Sequence, residues 1–498
     1  VYKRQGLHHD EALNALDALR IGHDGYWPAF LRANFGREPL MVYVMAASLH
    51  LFGNNVWAVR FPAALAWGAA LPALYWLLRE LYPSDSRGRT VRWLIAAPLF
   101  MTSLWFGITA HYAIRTSWFV LMEILFVAAL WRVWNTGDVR IALLAGVLGG
   151  LCSYTYLPNR CLPLLLGALL VIGLARRRGR LLTHWRVLAI VVLVAFLVQL
   201  PLVVHFARVP EDFGLRTSQV SLLDPAGDST DTSWLAALLD SGKRVAGMFF
   251  LRGDEKPRSN VPGRPLLTWW ILPLFLVGFL APVWPRRSGR SLFLVMWFLI
   301  MLLPTWLTEL APSFQRAIGA FPPLILLVAE GGGTLWRQVQ SAFTGPTGWR
   351  TRHSWGRWAT ATVAALLLLI VLAESSASLS AFRQWTAMPS LFYAFDEGLT
   401  QLGQYMASLP PERLVYLSPV PGHPTLTFFL TTAPAPPEVR TFDGRRVLVS
   451  RPGEDLTYVV IVHEDYRFDL MAPWLYPEQD LQSVKFYDRE GHTYAQVY

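Results

Sequence analysis

An adjacent pair of carboxylates, Asp10-Glu11, follows His8-His9 near the start of the chain. Arginines recur in the loops between apolar runs: Arg37, Arg115, Arg160, Arg216, Arg258 and Arg316. A carboxylate held beside a hydroxyl can take its proton as the oxygen attacks. Guanidinium groups stay charged and grip phosphate oxygens through a fork of N–H donors. They therefore stabilise negative charge as a bond to phosphate breaks. One acidic pair with several arginines suits transfer of a group from a phosphate leaving group to a hydroxyl. Glu38, His111-Tyr112, Asp254 and Asn260 are further polar candidates in the same loops.

Spacing alone leaves simpler readings open. Asp10 also fits the N-cap of a helix from Asp10 to Arg20. His8 and His9 also read as solvated loop residues, and Arg115, Arg160 and Arg316 as side chains reaching from span ends to the interface. Glu123, inside an apolar run, reads as a partner for another helix. Cys152 and Cys161 flank one short turn, match no metal or redox spacing, and read as buried apolar residues.

The elements that must position these groups follow from composition. Of the 498 residues 53% are hydrophobic and only 16% charged, below the roughly one quarter usual in soluble domains. With 22 Trp, this points to a bilayer. The net charge of +10 sits in short loops between apolar runs, which speaks against a nucleic-acid face. About twenty apolar residues cross a bilayer. Candidate spans fall near 57–78, 91–109, 116–133, 139–156, 161–175, 185–205, 266–284, 291–308, 317–336 and 358–379, about ten in all.

Alternate loops differ in basic content. One set holds Arg87, Arg89 and Arg92; Arg132 and Arg140; Arg176, Arg177, Arg178, Arg180 and Arg186; Arg286, Arg287 and Arg290; and Arg337, Arg350, Arg352 and Arg357. The other short loops hold little beyond Arg115, Arg160 and Arg316. Excess Lys/Arg marks the cytoplasmic side. Residues 1–56, the long loop 206–265 and the tail from about 381 are thereby expected outside. Leu40 to Phe52 is too short to span and is expected to lie along the interface. In the tail, Leu414–Leu417 and Tyr458–Val462 read as buried strands, and Leu391–Leu409 and His423–Thr432 as helices: a small α/β domain. The chain starts with Val1 and runs straight into polar sequence, so a preceding membrane helix is expected to be missing.

His9-Asp10-Glu11-Ala12, Gly36-Arg37-Glu38-Pro39-Leu40 and Leu77-Leu78-Arg79-Glu80-Leu81 resemble glycosyltransferase family 39, which has the GT-C membrane fold. That family includes protein O-mannosyltransferases and lipid A aminoarabinose transferases. Tyr154–Arg160, Arg216–Ser221, Gly253–Pro265 and Pro312–Pro323 resemble its bacterial members. The resemblance covers roughly residues 8–380. It implies a polyprenyl-phosphate sugar donor, inversion at the anomeric carbon, and Asp10 as catalytic base with Glu11 beside it. The acceptor is left open among protein, lipid and glycan. Arg37 stands where many members have a lysine that contacts phosphate, and the first proline of their motif is missing. Some GT-C enzymes use a divalent metal; the sequence offers no clear ligand set, and none is assigned.

The expected architecture is an α-helical polytopic membrane bundle over 57–380, preceded by a first outer loop over 1–56 and followed by an extracytoplasmic α/β domain over 381–498. The expected place is a bacterial plasma (inner) membrane, with the active site and tail extracytoplasmic. The rival reading is a polytopic transporter or lipid flippase, which would show inverted repeats with broken spans at matching positions. No such repeat is visible in the sequence.

Overall fold

The computed structural model describes residues 5–23, 25–176, 178–218, 222, 234–283, 289–344, 353–419, 422–447, 449, 456–475 and 483–498. Arg177, Arg286, Arg287, Arg350 and Arg352 of the basic loops, and Gln219 to Ser221, lie outside the described residues. The helices run α1 His9–Arg20, α2 Leu40–Phe52, α3 Val56–Leu81, α4 Ser86–Thr102, α5 Leu104–His111, α6 Thr116–Thr136 and α7 Val139–Cys152. They continue α8 Leu162–Arg176, α9 Arg178–Arg208, α10 Pro210–Ser218, α11 Trp234–Gly247, α12 Leu272–Leu280, α13 Gly289–Ile300, α14 Leu303–Trp306, α15 Phe321–Thr344 and α16 His353–Ala387. Two compact units emerge: Val1–Trp27 with Val42–Phe61 and Gln384–Tyr498, and Pro28–Met41 with Pro62–Arg383.

Among the described residues seven helical stretches are long and apolar enough to cross a membrane, or eight if the α4–α5 pair, bent by 49°, counts as one span. Ten were expected, and the two remaining runs form shorter apolar helices. The apolar run near 139–156 forms a helix of 14 residues that stops at Cys152, and the run near 266–284 yields only short helical pieces within Trp269–Val283. At 1.5 Å per residue, a 14-residue helix covers about 21 Å, short of the roughly 30 Å hydrocarbon core. Apolar composition alone does not fix the length of the helix it forms.

The membrane unit packs closely where small residues let backbones approach. A methyl group on Gly146 or Gly150 of α7 would come within 2.5 Å of Val194 Cβ or Val198 Cβ on α9. This small-xxx-small spacing draws α7 and α9 together. Charge inside the unit is paired: Arg92 of α4 donates through Nε to Glu330 of α15 at 2.7 Å, and Tyr82 donates to the same carboxylate at 2.6 Å. Arg132 pairs with Glu80 at 2.9 Å. Arg92 and Arg132, counted among the loop arginines, thus belong to helices and make ion pairs there.

The tail carries α17 Leu391–Ala394, α18 Glu397–Ala407, β1 Leu414–Ser418, α19 Pro424–Thr432, β2 Glu438–Thr441, β3 Leu456–Ile461, α20 Tyr466–Leu475, β4 Val484–Tyr487 and β5 Thr493–Val497. The sheet order is β2-β1-β3-β5-β4, with β1 parallel to β2 and β3, and β5 antiparallel to β3 and β4. Val415, Leu417, Val459 and Ile461 share its core with Leu402 and Met406 of α18. The expected helix 391–409 is broken at Asp396, whose φ of +50° is left-handed. That conformation cannot continue a right-handed helix, and Asp is among the few side chains that tolerate it.

Candidate active site

Two sets of chemistry-bearing side chains form, one in each unit. In the first, His8 and not Asp10 is the N-cap of α1: its Nδ1 accepts the Asp10 amide at 3.0 Å. Glu11 completes a capping box by accepting the His8 amide at 3.1 Å. Glu11 is fully buried and held by Arg60, which donates through Nε to Oε1 at 2.9 Å and through Nη2 to Oε2 at 2.8 Å. Arg60 Nη2 also donates to the Gly6 carbonyl at 2.6 Å. The two carboxylates therefore differ in kind: Glu11 is spent on structure, while the Asp10 side chain stays 27% exposed and accessible. Burial, reinforced by the neighbouring His9, pushes His8 down to about 4, so its ring is neutral near pH 7.

His9, half-exposed, reaches the tail. Its amide donates to Asp396 Oδ2 at 2.7 Å and its Nδ1 lies 3.0 Å from the same oxygen. Burial alone would raise the Asp396 carboxyl, but hydrogen bonding from His9 and the nearby imidazoles outweigh it and hold it low. His423, the N-cap of α19, stands edge-on to His9 with ring centroids 6.0 Å apart.

In the membrane unit, four of the sequence-picked arginines gather. Tyr156, buried beyond the end of α7, feels the positive charges of Arg115, Arg316 and Arg216. Arg316 in turn feels Arg216 and Arg258 as well as Asp254. Lys256 belongs to the same field, and burial lowers its ammonium. Glu38, ion-paired with Arg115, and Asp254 stand against these five cations. Burial destabilises the Arg316 charge, and its Nη1 is buried with no hydrogen-bond partner among the described residues. An unpartnered buried guanidinium nitrogen is costly unless an anion fills it.

The loop from Gly253 presents two of these cations. Asp254 accepts the Lys256 and Phe314 amides, each at 2.9 Å, and burial raises its carboxyl. Asn260 donates to the Asp254 and Arg264 carbonyls at 3.0 and 2.8 Å. A methyl on Gly253 would meet the Arg264 carbonyl oxygen at 2.0 Å, so the loop closes only around glycine. Asp254 and Asn260 thus brace the loop that carries Lys256 and Arg258.

Beside this cluster lies a groove of about 370 Å³, lined by Leu162, Leu166, Val191, Ala195, Leu202 and Phe206, with Glu38, Arg160 and Phe213 also on its wall. Glu38 joins groove to cluster, since it pairs with Arg115. Arg160 lies 3.9 Å over the Phe213 ring and donates to the Phe213 carbonyl at 2.9 Å. Arg37 is buried and its Nε donates to the Ala33 carbonyl at 3.1 Å. His111 Nδ1 contacts the Gly107 carbonyl at 2.8 Å, and Tyr112 lines a small recess with Arg258. Glu123 accepts from Trp297 Nε1 of α13 at 2.7 Å, the helix-to-helix pairing its position suggests. Sequence reasoning missed Tyr156 and Lys256, although both lie inside the Tyr154–Arg160 and Gly253–Pro265 stretches. It also missed Asp396 and His423, which no local pattern ties to His9.

Residues 37–205 match the family model described as dolichyl-phosphate-mannose-protein mannosyltransferase. That match takes in about a third of the chain and makes the segment similar to glycosyltransferase family 39. A curated relative is the undecaprenyl phosphate-alpha-4-amino-4-deoxy-L-arabinose arabinosyl transferase 1 of Pseudomonas fluorescens, 30% identical over half of this chain and 47% of its own length. The corresponding transferase of Pseudomonas paraeruginosa is 34% identical over 38% of this chain and 34% of its own length. The chain thus spans about half, or less, of the curated relatives it matches. Among solved structures, ArnT from Cupriavidus metallidurans bound to undecaprenyl phosphate superposes with a TM-score of 0.56 at 15% identity, covering 99% of this chain and 94% of that one. Its apo form gives a TM-score of 0.55 at 14% identity. The fold is GT-C.

Proposed function

We propose that this chain is a membrane glycosyltransferase that moves a sugar from a polyprenyl-phosphate donor to a hydroxyl-bearing acceptor, with inversion and with Asp10 as general base. The observation that carries the reading is Arg316: a buried guanidinium nitrogen with no hydrogen-bond partner among the described residues, set amid Arg115, Arg216, Arg258 and Lys256, beside an apolar groove. A phosphate on an isoprenoid chain matches both halves of that arrangement. The arginines take the charge that develops on the phosphate as the glycosidic bond breaks, and the groove takes the hydrocarbon. Asp10 takes the acceptor's proton. The curated relatives, whose names specify an undecaprenyl-phosphate sugar, point the same way.

Binding of undecaprenyl phosphate to the purified protein tests the cluster. Arg316→Ala removes one charged hydrogen-bonding group, about 1.5–3 kcal/mol, and should weaken binding roughly ten- to hundredfold. Arg316→Lys keeps the charge but not the fork and should fall between. Wild-type affinity in Arg316→Ala would remove Arg316 from the site.

The sidedness is part of the proposal: excess loop arginine puts the cation cluster and the tail outside the cytoplasm. With Cys152 and Cys161 replaced by Ala, a cysteine at Arg252 should react with an impermeant maleimide in intact cells, and one at Arg87 should not. Labelling at position 87 from outside would reverse the orientation.

A further inference from the structure

We infer that His9, Asp396 and His423 form a divalent-metal site of the Zn²⁺ class that ties the start of α1 to the C-terminal α/β domain. The three residues come from three separate elements: the first turn of α1, the left-handed residue before α18, and the N-cap of α19. Their ligand-capable atoms all lie within 4.8 Å of one another. Two imidazoles and one carboxylate are a common donor set for zinc, whose ligand bonds of about 2.0–2.2 Å place neighbouring donor atoms somewhat over 3 Å apart. His9 Nδ1 and Asp396 Oδ2, hydrogen-bonded at 3.0 Å, need to part by only a few tenths of an ångström to reach that separation.

The surrounding chemistry fits a cation better than a hydrogen-bonded brace. A brace between α1 and the tail needs only His9 and Asp396. The second imidazole, edge-on to His9, is more than such a brace calls for. A second carboxylate stands nearby: Asp10 Oδ1 is 3.8 Å from His9 Nε2. With a metal on Nδ1, His9 carries its proton on Nε2, facing Asp10, and metal-bound histidines usually direct their other N–H at a carboxylate. His423 Nδ1 accepts the Thr425 amide at 3.3 Å, which leaves Nε2 for the metal. Binding there shifts the proton from Nε2 to Nδ1 and exchanges this long cap contact for a coordinate bond. The ion would fix the first turn of α1 and orient Asp10 through His9. The site stands whether or not Asp10 is the catalytic base, because its test reads metal alone.

The experiment uses the full chain in detergent, stripped with a chelator, dialysed and titrated with Co²⁺ and then Zn²⁺. Expected is one Co²⁺ per chain with visible d–d absorption, bleached by one equivalent of Zn²⁺. Two substitutions remove ligands while respecting the backbone. H423N keeps an N-cap acceptor, and D396N keeps a residue that tolerates left-handed φ. Each should weaken Co²⁺ binding at least tenfold. H9A, at a half-exposed side chain, gives the same reading should either Asn variant fail to fold. H492A is the control, since Asp488 with the exposed Glu490 and His492 forms another group of possible ligands; its binding should equal wild type. Absence of stoichiometric Co²⁺ binding, full binding by H423N and D396N together, or loss of binding in H492A would each overturn the site.

Discussion

Asp10→Asn should lower sugar transfer by about 10²–10⁴-fold while leaving the protein folded. The acceptor hydroxyl is a poor nucleophile until a base takes its proton, and an amide cannot take one at neutral pH. The structure removes the main structural objection to this test. His8 caps α1 and Glu11 closes the capping box, so the Asp10 side chain has no part in either bond. Its partial exposure leaves room for an acceptor. The assay is transfer from an undecaprenyl-phosphate-linked sugar, with melting temperature measured alongside. Near-normal turnover by a stable Asp10→Asn protein would sink the base assignment.

Arg60→Leu should do the opposite kind of damage. It leaves the buried Glu11 carboxylate without its two-pronged partner, and breaking a buried ion pair from one side costs about 3–5 kcal/mol. The purified protein should melt on the order of 5–10 °C lower, at the few degrees per kcal/mol expected of a unit this size. Adding Glu11→Gln to Arg60→Leu should recover part of that loss, because the uncompensated charge is gone. A single Arg60→Leu variant that melts with wild type would mean that the pair contributes little. Together with Asp10→Asn, these substitutions separate two adjacent carboxylates by outcome: one by rate, the other by stability.

Much of this arrangement could be read from residue order. Arg115, Arg216, Arg258 and Arg316 stood out because each lies in a loop between apolar runs, and the chain brings those loops together. β1 and β3 were visible as Leu414–Leu417 and Tyr458–Val462, short apolar runs that must be covered on both faces. β2, β4 and β5 were not: Glu438–Thr441 and Val484–Tyr487 are edge strands with mostly exposed or half-exposed residues, and Thr493–Val497 mixes Thr and Gln with apolar residues. Two of the expected spans are shorter as helices because apolar composition does not fix where a helix ends: α7 stops at Cys152 while Leu143, Leu144 and Val147 stand exposed on it. The cluster around His9 was invisible for a different reason. Its hydrogen bond to Asp396 joins residues 387 positions apart, and no local pattern can signal such a pairing.

The groove has one more consequence, set by α9. Val191, Ala195, Leu202 and Phe206 line it from one side of that helix, while Leu193, Phe196, Leu197, Leu200 and Val204 stand exposed on the rest. Only 17% of the most apolar window of α9 is buried within the protein, so this helix belongs at the lipid boundary. A carrier that enters there arrives sideways, by diffusion in two dimensions, and never passes through water. Its availability is then a mole fraction of membrane lipid rather than a molarity. Diluting a fixed amount of donor with inert phospholipid starves such an enzyme even though the concentration in the tube is unchanged.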